Sequence, residues 1–204
     1  MKKIILMSLL LSGSLMAQNK NVNATSKSDT VTLGGGCYWC VEAVYEQLDG
    51  VIKVESGFSG GTIKNPSYRE VCNGTTGHAE VVQITFDNTK TSIEEIFKVF
   101  FTVHDPTTLN RQGADEGTQY RSVIFYRNNE QYKIATGIIA ALNKEKVYAK
   151  PVVTQVAPFT VFYKAEDYHQ NYYELNKEEP YCKMVIQPKM EKFEKLFKDR
   201  LKKK

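Results

Sequence analysis

Thr30-Val31-Thr32-Leu33-Gly34-Gly35-Gly36-Cys37-Tyr38-Trp39-Cys40 is the stretch whose reading decides the fold. Its first four residues are strand formers and its three glycines make a turn. Val41, Val44, Tyr45 and Leu48 then recur at the i, i+3, i+4, i+7 spacing of an amphipathic helix, closed by Gly50. A strand that passes through a glycine turn into a helix leaves Cys37 at the helix N-terminus. There, orphan N–H groups and the helix dipole favour a thiolate, and such settings bring a cysteine pKa from about 8.5 to roughly 3.5–7.5. Cys37 and Cys40 also fit buried packing residues, a plain disulfide or part of a metal site. The three glycines and the two intervening aromatics argue for chemistry.

Outward from this unit, residues 51–55 read as a strand that runs into a loop at Ser56-Gly57-Phe58-Ser59-Gly60-Gly61. The stretch from 57 to 77 has no period, and long loops of that kind are often functional. It ends in a strand in which Val82, Ile84 and Phe86 alternate with Val81, Gln83 and Thr85. Ser92-Ile93-Glu94-Glu95 predicts a capping box opening a helix to about Val103, and residues 105–119 form a second polar loop. A strand over 120–126, a helix over 128–146, a strand over 151–156 and a tyrosine-rich helix over 165–175 follow. Met190, Phe193, Phe197 and Leu201 give the tail a helical apolar stripe. No repeat and no Gly-x-Gly-x-x-Gly fingerprint is present, so the pattern predicts an α+β domain with helices on a mixed sheet.

The 204 residues suit one domain with appendages, and the 42% hydrophobic and 25% charged content is that of an ordinary folded chain. The net charge of +4 leans on the lysine-rich end, so nucleic acid is not the expected partner. Lys2 and Lys3, an apolar run over 4–11 and small residues up to Ala17 read as a signal peptide cleaved near Ala17. The apolar run is shorter than the roughly 20 residues that span a bilayer. The expected organisation is a signal peptide at 1–17, a flexible spacer at 18–28, a catalytic domain at 29–188 and a basic amphipathic helix at 189–204. Export to the periplasm or cell envelope follows. In an oxidising compartment the four cysteines, Cys37, Cys40, Cys72 and Cys182, could pair in three ways.

Four motifs in order carry a resemblance: Gly-Gly-Gly-Cys-Tyr-Trp-Cys-Val-Glu at 34–42, Asn-Pro-Ser-Tyr-Arg-Glu-Val-Cys at 65–72, Gly-His-Ala-Glu-Val-Val at 77–82 and Gly-Thr-Gln-Tyr-Arg-Ser at 117–122. The chain resembles the A-type peptide methionine sulfoxide reductases over roughly residues 30–190. The resemblance extends through Ala165-Glu166-Asp167-Tyr168-His169-Gln170 and Pro180-Tyr181-Cys182. It implies a two-layer ferredoxin-like core and reduction of the S epimer of methionine sulfoxide, free or in proteins, with no bound cofactor and electrons from a thioredoxin-like donor. The expected state is a monomer. Carried over by position, Cys37 is the nucleophile, Glu80 the acid, Tyr68 and Tyr120 donors to the sulfoxide oxygen, and Asp115 an orienting carboxylate. Tyr38 and Trp39 would wall the pocket for the substrate methyl, with Tyr38 standing where the family usually has Phe.

The chemistry suits these residue types. A thiolate attacks the electrophilic sulfur while an acid protonates its oxygen, and a carboxyl that keeps its proton at neutral pH needs an apolar or tightly hydrogen-bonded place. Cys37 would then hold a sulfenic acid, which condenses with a second thiol. Cys182, matching a resolving cysteine on the family's mobile tail, is the favoured partner. Cys40, one helical turn away, and a relay through both stay open, and Cys72 is expected to be a bystander. His78, His104 and His169 lack zinc-like spacing, so no metal is expected. Two rivals remain, a general thiol–disulfide oxidoreductase and a secreted binding domain stapled by Cys37–Cys40 and Cys72–Cys182.

Overall fold

The computed structural model describes residues 27–203; the signal-peptide reading of 1–17 and nearly all of the 18–28 spacer lie outside them. The opening unit forms as read, with β1 (Ser28–Gly34) passing through the glycines into α1 (Tyr38–Gln47). β2 (Val51–Ser59), α2 (Tyr68–Cys72), β3 (Ala79–Asp87) and α3 (Ile93–Val103) follow. A small hairpin of β4 (Arg111–Gln112) and β5 (Asp115–Glu116) and a 3₁₀ turn at Thr118–Tyr120 lead into β6 (Val123–Tyr126). Beyond them lie α4 (Asn129–Lys144), β7 (Gln155–Pro158), β8 (Tyr163–Lys164) and α5 (Tyr172–Leu175). A π-helical turn at Cys182–Ile186 runs directly into α6 (Gln187–Leu196).

The main sheet has the order β7-β6-β1-β3-β2-β8, antiparallel except for the parallel β6–β7 pair. Its inner four strands, taken with α1 and α3, make a βαββαβ unit in the order 4-1-3-2, the ferredoxin-like arrangement. The domain is therefore α+β with a mixed sheet and flanking helices.

Alternation along the strands divides the two faces. Val31, Leu33, Val82, Ile84, Phe86 and Ile124 enter the main core with the helices. On the opposite face Val81, Val123 and Phe125 form a smaller cluster covered by Phe159 and Phe162. There Arg127 donates to Gln83 Oε1 (2.6 Å) and Thr32 Oγ1 (3.1 Å) and lies over the Phe159 ring at 3.5 Å. Glu80 shares the parity of Val82, so β3 aims it at the helix side, at the start of α1.

Several local expectations change. Residues 56–59 continue β2 instead of looping, because they pair with both β3 and β8. Gly57 permits this: a Cβ there would stand 2.4 Å from the Tyr163 carbonyl. The full capping box forms at Ser67 and Glu70, heading α2 inside the supposed loop. At α3, Ser92 Oγ accepts from the Glu95 N–H (3.3 Å), but the Glu95 carboxylate turns to Lys98 and Arg200 instead. The 165–175 helix is broken in two, since Asn171 takes a left-handed conformation with φ 53°.

The C-terminal stripe is part of the core. Met190, Phe193 and Phe197 are buried, with Phe193 stacked on Phe197 at 5.4 Å between centroids. Phe193→Ala is expected to lower unfolding stability by about 3–5 kcal/mol, the usual cost of emptying a core phenylalanine site, read as a lower urea midpoint at unchanged slope.

Candidate active site

The site gathers at the C-terminal end of β1. Gly36 has φ 89°, and a Cβ there would meet Gln112 at 2.6 Å, so the turn needs glycine both for its conformation and for the approach of the β4–β5 hairpin. Cys37 follows as the N-cap of α1, its carbonyl accepting from the Cys40 N–H at 3.1 Å. Its side chain is 6% exposed.

Glu80 is 1% exposed, and its Oε2 accepts from the Tyr38 N–H at 3.1 Å. Burial pushes this carboxyl up to about 8, against the lowering effect of the Tyr38 N–H, and the charges of Asp115 and Cys40 push the same way as burial. A carboxyl with that value keeps most of its proton at neutral pH. Tyr68, in the first turn of α2, and Tyr120, closing the 3₁₀ turn, both face this charge. Burial raises both phenols first; Tyr68 is raised further by Cys72 and then Glu80, and Tyr120 by Glu80 and then Cys72. Both therefore stay protonated donors. Asp115 on β5 accepts from the Tyr181 hydroxyl at 2.8 Å.

The two cysteines of the turn interact. Cys40 is brought down to about 7, first by hydrogen bonding with Cys37, then against burial by the Lys189 ammonium and Tyr181. Burial raises Cys37, and the neighbouring Cys40 raises it further, while the Tyr181 hydroxyl works the other way. Of the two, Cys40 therefore carries the thiolate character, while Cys37, expected from its place at a helix N-terminus to be the lowered thiol, is raised by its burial. Cys182, matched by resemblance to a resolving cysteine, is fully buried in the π-helical turn. It is raised by burial and then by the charges of Cys40 and Glu179. All four cysteines are thiols. Cys72, read as a bystander, stands half-buried beside the Tyr68 hydroxyl.

Tyr38 and Trp39 form an aromatic wall. The Tyr38 ring lies 5.9 Å from Phe58 and 5.4 Å from His169, and its hydroxyl has no hydrogen-bond partner among the described residues. Trp39 stacks face to face on Tyr172, with centroids 3.7 Å apart and planes at 8°, and takes the edge of Tyr181 at 5.9 Å. His169 also meets Tyr68 at 4.4 Å. Tyr172, Tyr181 and His169 carry no role in the sequence reading. Their local signals are the clustering of tyrosines after 165 and, for His169 and Tyr181, a place in the matched motifs; what brings them to Trp39 is the path of the distant chain.

His78 does not face the site. Its Nδ1 accepts from the Gly61 N–H (3.0 Å) and its Nε2 donates to the Ile63 carbonyl (2.8 Å), so it ties down the loop after β2. Among the described residues, no group of three His, Cys, Asp or Glu side chains is placed to hold a metal ion. The arrangement as a whole offers a thiol pair, a protonated buried carboxyl, two phenol donors and an aromatic pocket.

The family model described as peptide methionine sulfoxide reductase matches residues 29–201. A curated peptide methionine sulfoxide reductase of Saccharolobus solfataricus is 58% identical over 174 residues, 85% of this chain and 97% of that protein. One from Deinococcus radiodurans is 49% identical over 191 residues, 92% of this chain and 93% of that one. Among solved structures, Mxr1 of Saccharomyces cerevisiae in reduced form matches with a TM-score of 0.70 at 32% identity, covering 76% of this chain and 90% of the yeast chain. Methionine sulfoxide reductase A of Corynebacterium diphtheriae matches with a TM-score of 0.66 at 33% identity, over 75% and 77%.

Proposed function

The chain belongs to the peptide methionine sulfoxide reductase family and is a peptide-methionine (S)-S-oxide reductase, and from that premise we propose how its residues divide the reaction. The observation that carries the assignment is the buried, proton-holding Glu80 beside Cys37 at the start of α1. Cys37 gives its proton to Cys40, the lowered thiol of the pair, and its sulfur attacks the sulfoxide sulfur. Glu80 delivers a proton to the oxygen, and Tyr68 and Tyr120 donate hydrogen bonds to it as charge builds there. The sulfur–oxygen bond of the substrate breaks and the oxygen ends on Cys37 as a sulfenic acid; the substrate sulfur is reduced to the thioether and Cys37 is oxidised. Asp115 steadies the site through the Tyr181 hydroxyl, and the wall of Tyr38 and Trp39 takes the methyl group, where aromatic contacts with sulfur and methyl are favourable.

For the second step we place Cys40 ahead of Cys182, reversing the preference drawn from the resemblance. Cys40 hydrogen-bonds Cys37 and has the lowered thiol of the pair, whereas Cys182 is fully buried and its thiol is raised. The Cys40 thiolate attacks the Cys37 sulfur, the sulfenic oxygen leaves as water after taking a proton, and a disulfide forms. Two electrons from a thioredoxin-like dithiol restore both thiols. The yeast protein Mxr1 has been solved in complex with Trx2, which supports a donor of that class.

Peptide mapping after one turnover without reductant tests the order. A Cys37–Cys40 bridge with Cys72 and Cys182 still alkylatable is expected; a Cys37–Cys182 bridge with alkylatable Cys40 overturns it.

A further inference from the structure

Glu42 has no place in the chemistry above, yet it is a carboxylic acid only 1% exposed in the second turn of α1. It follows Trp39 by three residues, so both lie on one face of the helix. Its Oε2 accepts from the Tyr172 N–H at 3.3 Å, the Asn171 N–H and the Ser56 hydroxyl also face the carboxylate, and its other oxygen makes no hydrogen bond of normal geometry among the described residues. Burying a carboxyl with an oxygen left over is costly, and an apolar side chain of the same size would fill the slot at lower cost. Fold stability therefore does not account for an acid here.

What the acid holds does account for it. Tyr172 opens the four-residue α5, whose N-cap, Asn171, is left-handed and provides no side-chain cap. Glu42 supplies that missing acceptor from another helix. The residue it anchors is the one whose ring lies flat on Trp39. The same segment is fixed upstream by Gln170, whose side chain accepts from the Ser56 N–H (3.0 Å) and donates to the Ser56 carbonyl (2.9 Å). Downstream it reaches Tyr181, on Asp115 and against Trp39. Residues 169–181 thus form a strap across the aromatic wall, and Glu42 is its fastening on α1.

We propose that Glu42 is a positioning residue for substrate binding: by capping α5 from α1 it holds Tyr172 flat on Trp39 and keeps the strap closed beside Cys37. The proposal rests on the reading that Trp39 and its neighbours wall the sulfoxide pocket. An enzyme without the cap has the same thiols and the same acid but a looser pocket.

The chain has one tryptophan, so its fluorescence reports this contact directly. The test compares the wild type with Glu42→Gln, which retains an acceptor for the Tyr172 N–H, and with Glu42→Met, which fills the slot without one; Glu42→Leu serves as a second apolar variant. Steady-state kinetics on a free methyl sulfoxide amino acid with dithiothreitol, acrylamide quenching of Trp39 and thermal unfolding are measured on each. In the apolar variants KM is expected to rise about three- to tenfold with kcat within about twofold. Quenching should rise and the melting temperature should hold or increase. Glu42→Gln should match the wild type. Wild-type KM and quenching in the apolar variants, or a Gln variant as impaired as they are, overturns the proposal. Cys37→Ser separates the layers: turnover surviving that change would remove the reading of the site itself, whereas an inactive Cys37→Ser beside a wild-type-like Glu42→Met removes only the role of Glu42.

Discussion

Cys37→Ser is expected to leave no turnover of a methyl sulfoxide above background, a loss of roughly 10⁴-fold or more, as for removal of an enzyme's attacking nucleophile. The change is nearly isosteric, so the fold should not move, and circular dichroism and the melting temperature should stay close to wild type. The reason for so large an effect lies in the atom. A hydroxyl at the N-cap of α1 is a far weaker acid and a poorer nucleophile toward sulfur than the Cys37 thiol, which has the Cys40 thiolate beside it to take its proton. Activity with dithiothreitol as reductant is the right readout, because it bypasses the resolving step and isolates the attack on sulfur. Turnover that survives in the serine variant would return the chain to its rivals, the thiol–disulfide exchanger and the stapled binding domain.

The second large effect belongs to the proton. Glu80→Gln should slow sulfenic acid formation by about 10²- to 10⁴-fold at neutral pH, the range of a lost general acid. The wild-type rate should fall on the alkaline side with a midpoint at about pH 8, where the carboxyl gives up its proton, and that limb should be missing in the Gln variant. The same shift bears on stability with a definite sign. The folded-state value lies above the ordinary carboxyl value of 4.5, so the folded chain holds this proton more tightly than the unfolded chain does. The contribution is fully present below about pH 4.5 and is lost as pH rises through about 8. Asp115 adds its charge to Glu80, so Asp115→Asn should move the alkaline limb to lower pH. A single-turnover rate in Glu80→Gln within a factor of a few of wild type, with the alkaline limb unchanged, would remove the acid role.

What the chain reveals before folding depends on how far apart the interacting residues lie. The strand, glycine turn and helix around Cys37 are readable because every signal sits within about twenty residues, and β3 is readable because its alternation is strict. The roles of Glu80, Tyr68, Tyr120 and Asp115 come from motif resemblance; composition alone would have made Glu80 an ordinary strand-end glutamate. Glu42 stands inside the quoted motif but escapes notice, since its partner is Tyr172, 130 positions away. The extension of β2 through Gly57 is hidden for a related reason: its cause is the close approach of β8, a contact made by the sheet and not by the local sequence. Asn171 breaks the tyrosine-rich helix with a left-handed turn that its periodicity does not announce.

The last segment of the chain has one more consequence, which concerns biosynthesis. α6 closes the core with Met190 and Phe193, while the stretch just before it carries Tyr172, Tyr181 and Cys182. A ribosome makes Cys37 more than 130 residues before Tyr172. Until these later residues are made, the nascent chain carries Cys37 without the rings that pack on Trp39 and with its core unclosed by Met190 and Phe193. The order of synthesis thus makes the chemistry wait for the segment from Tyr172 to Phe193, because a domain folds as a unit.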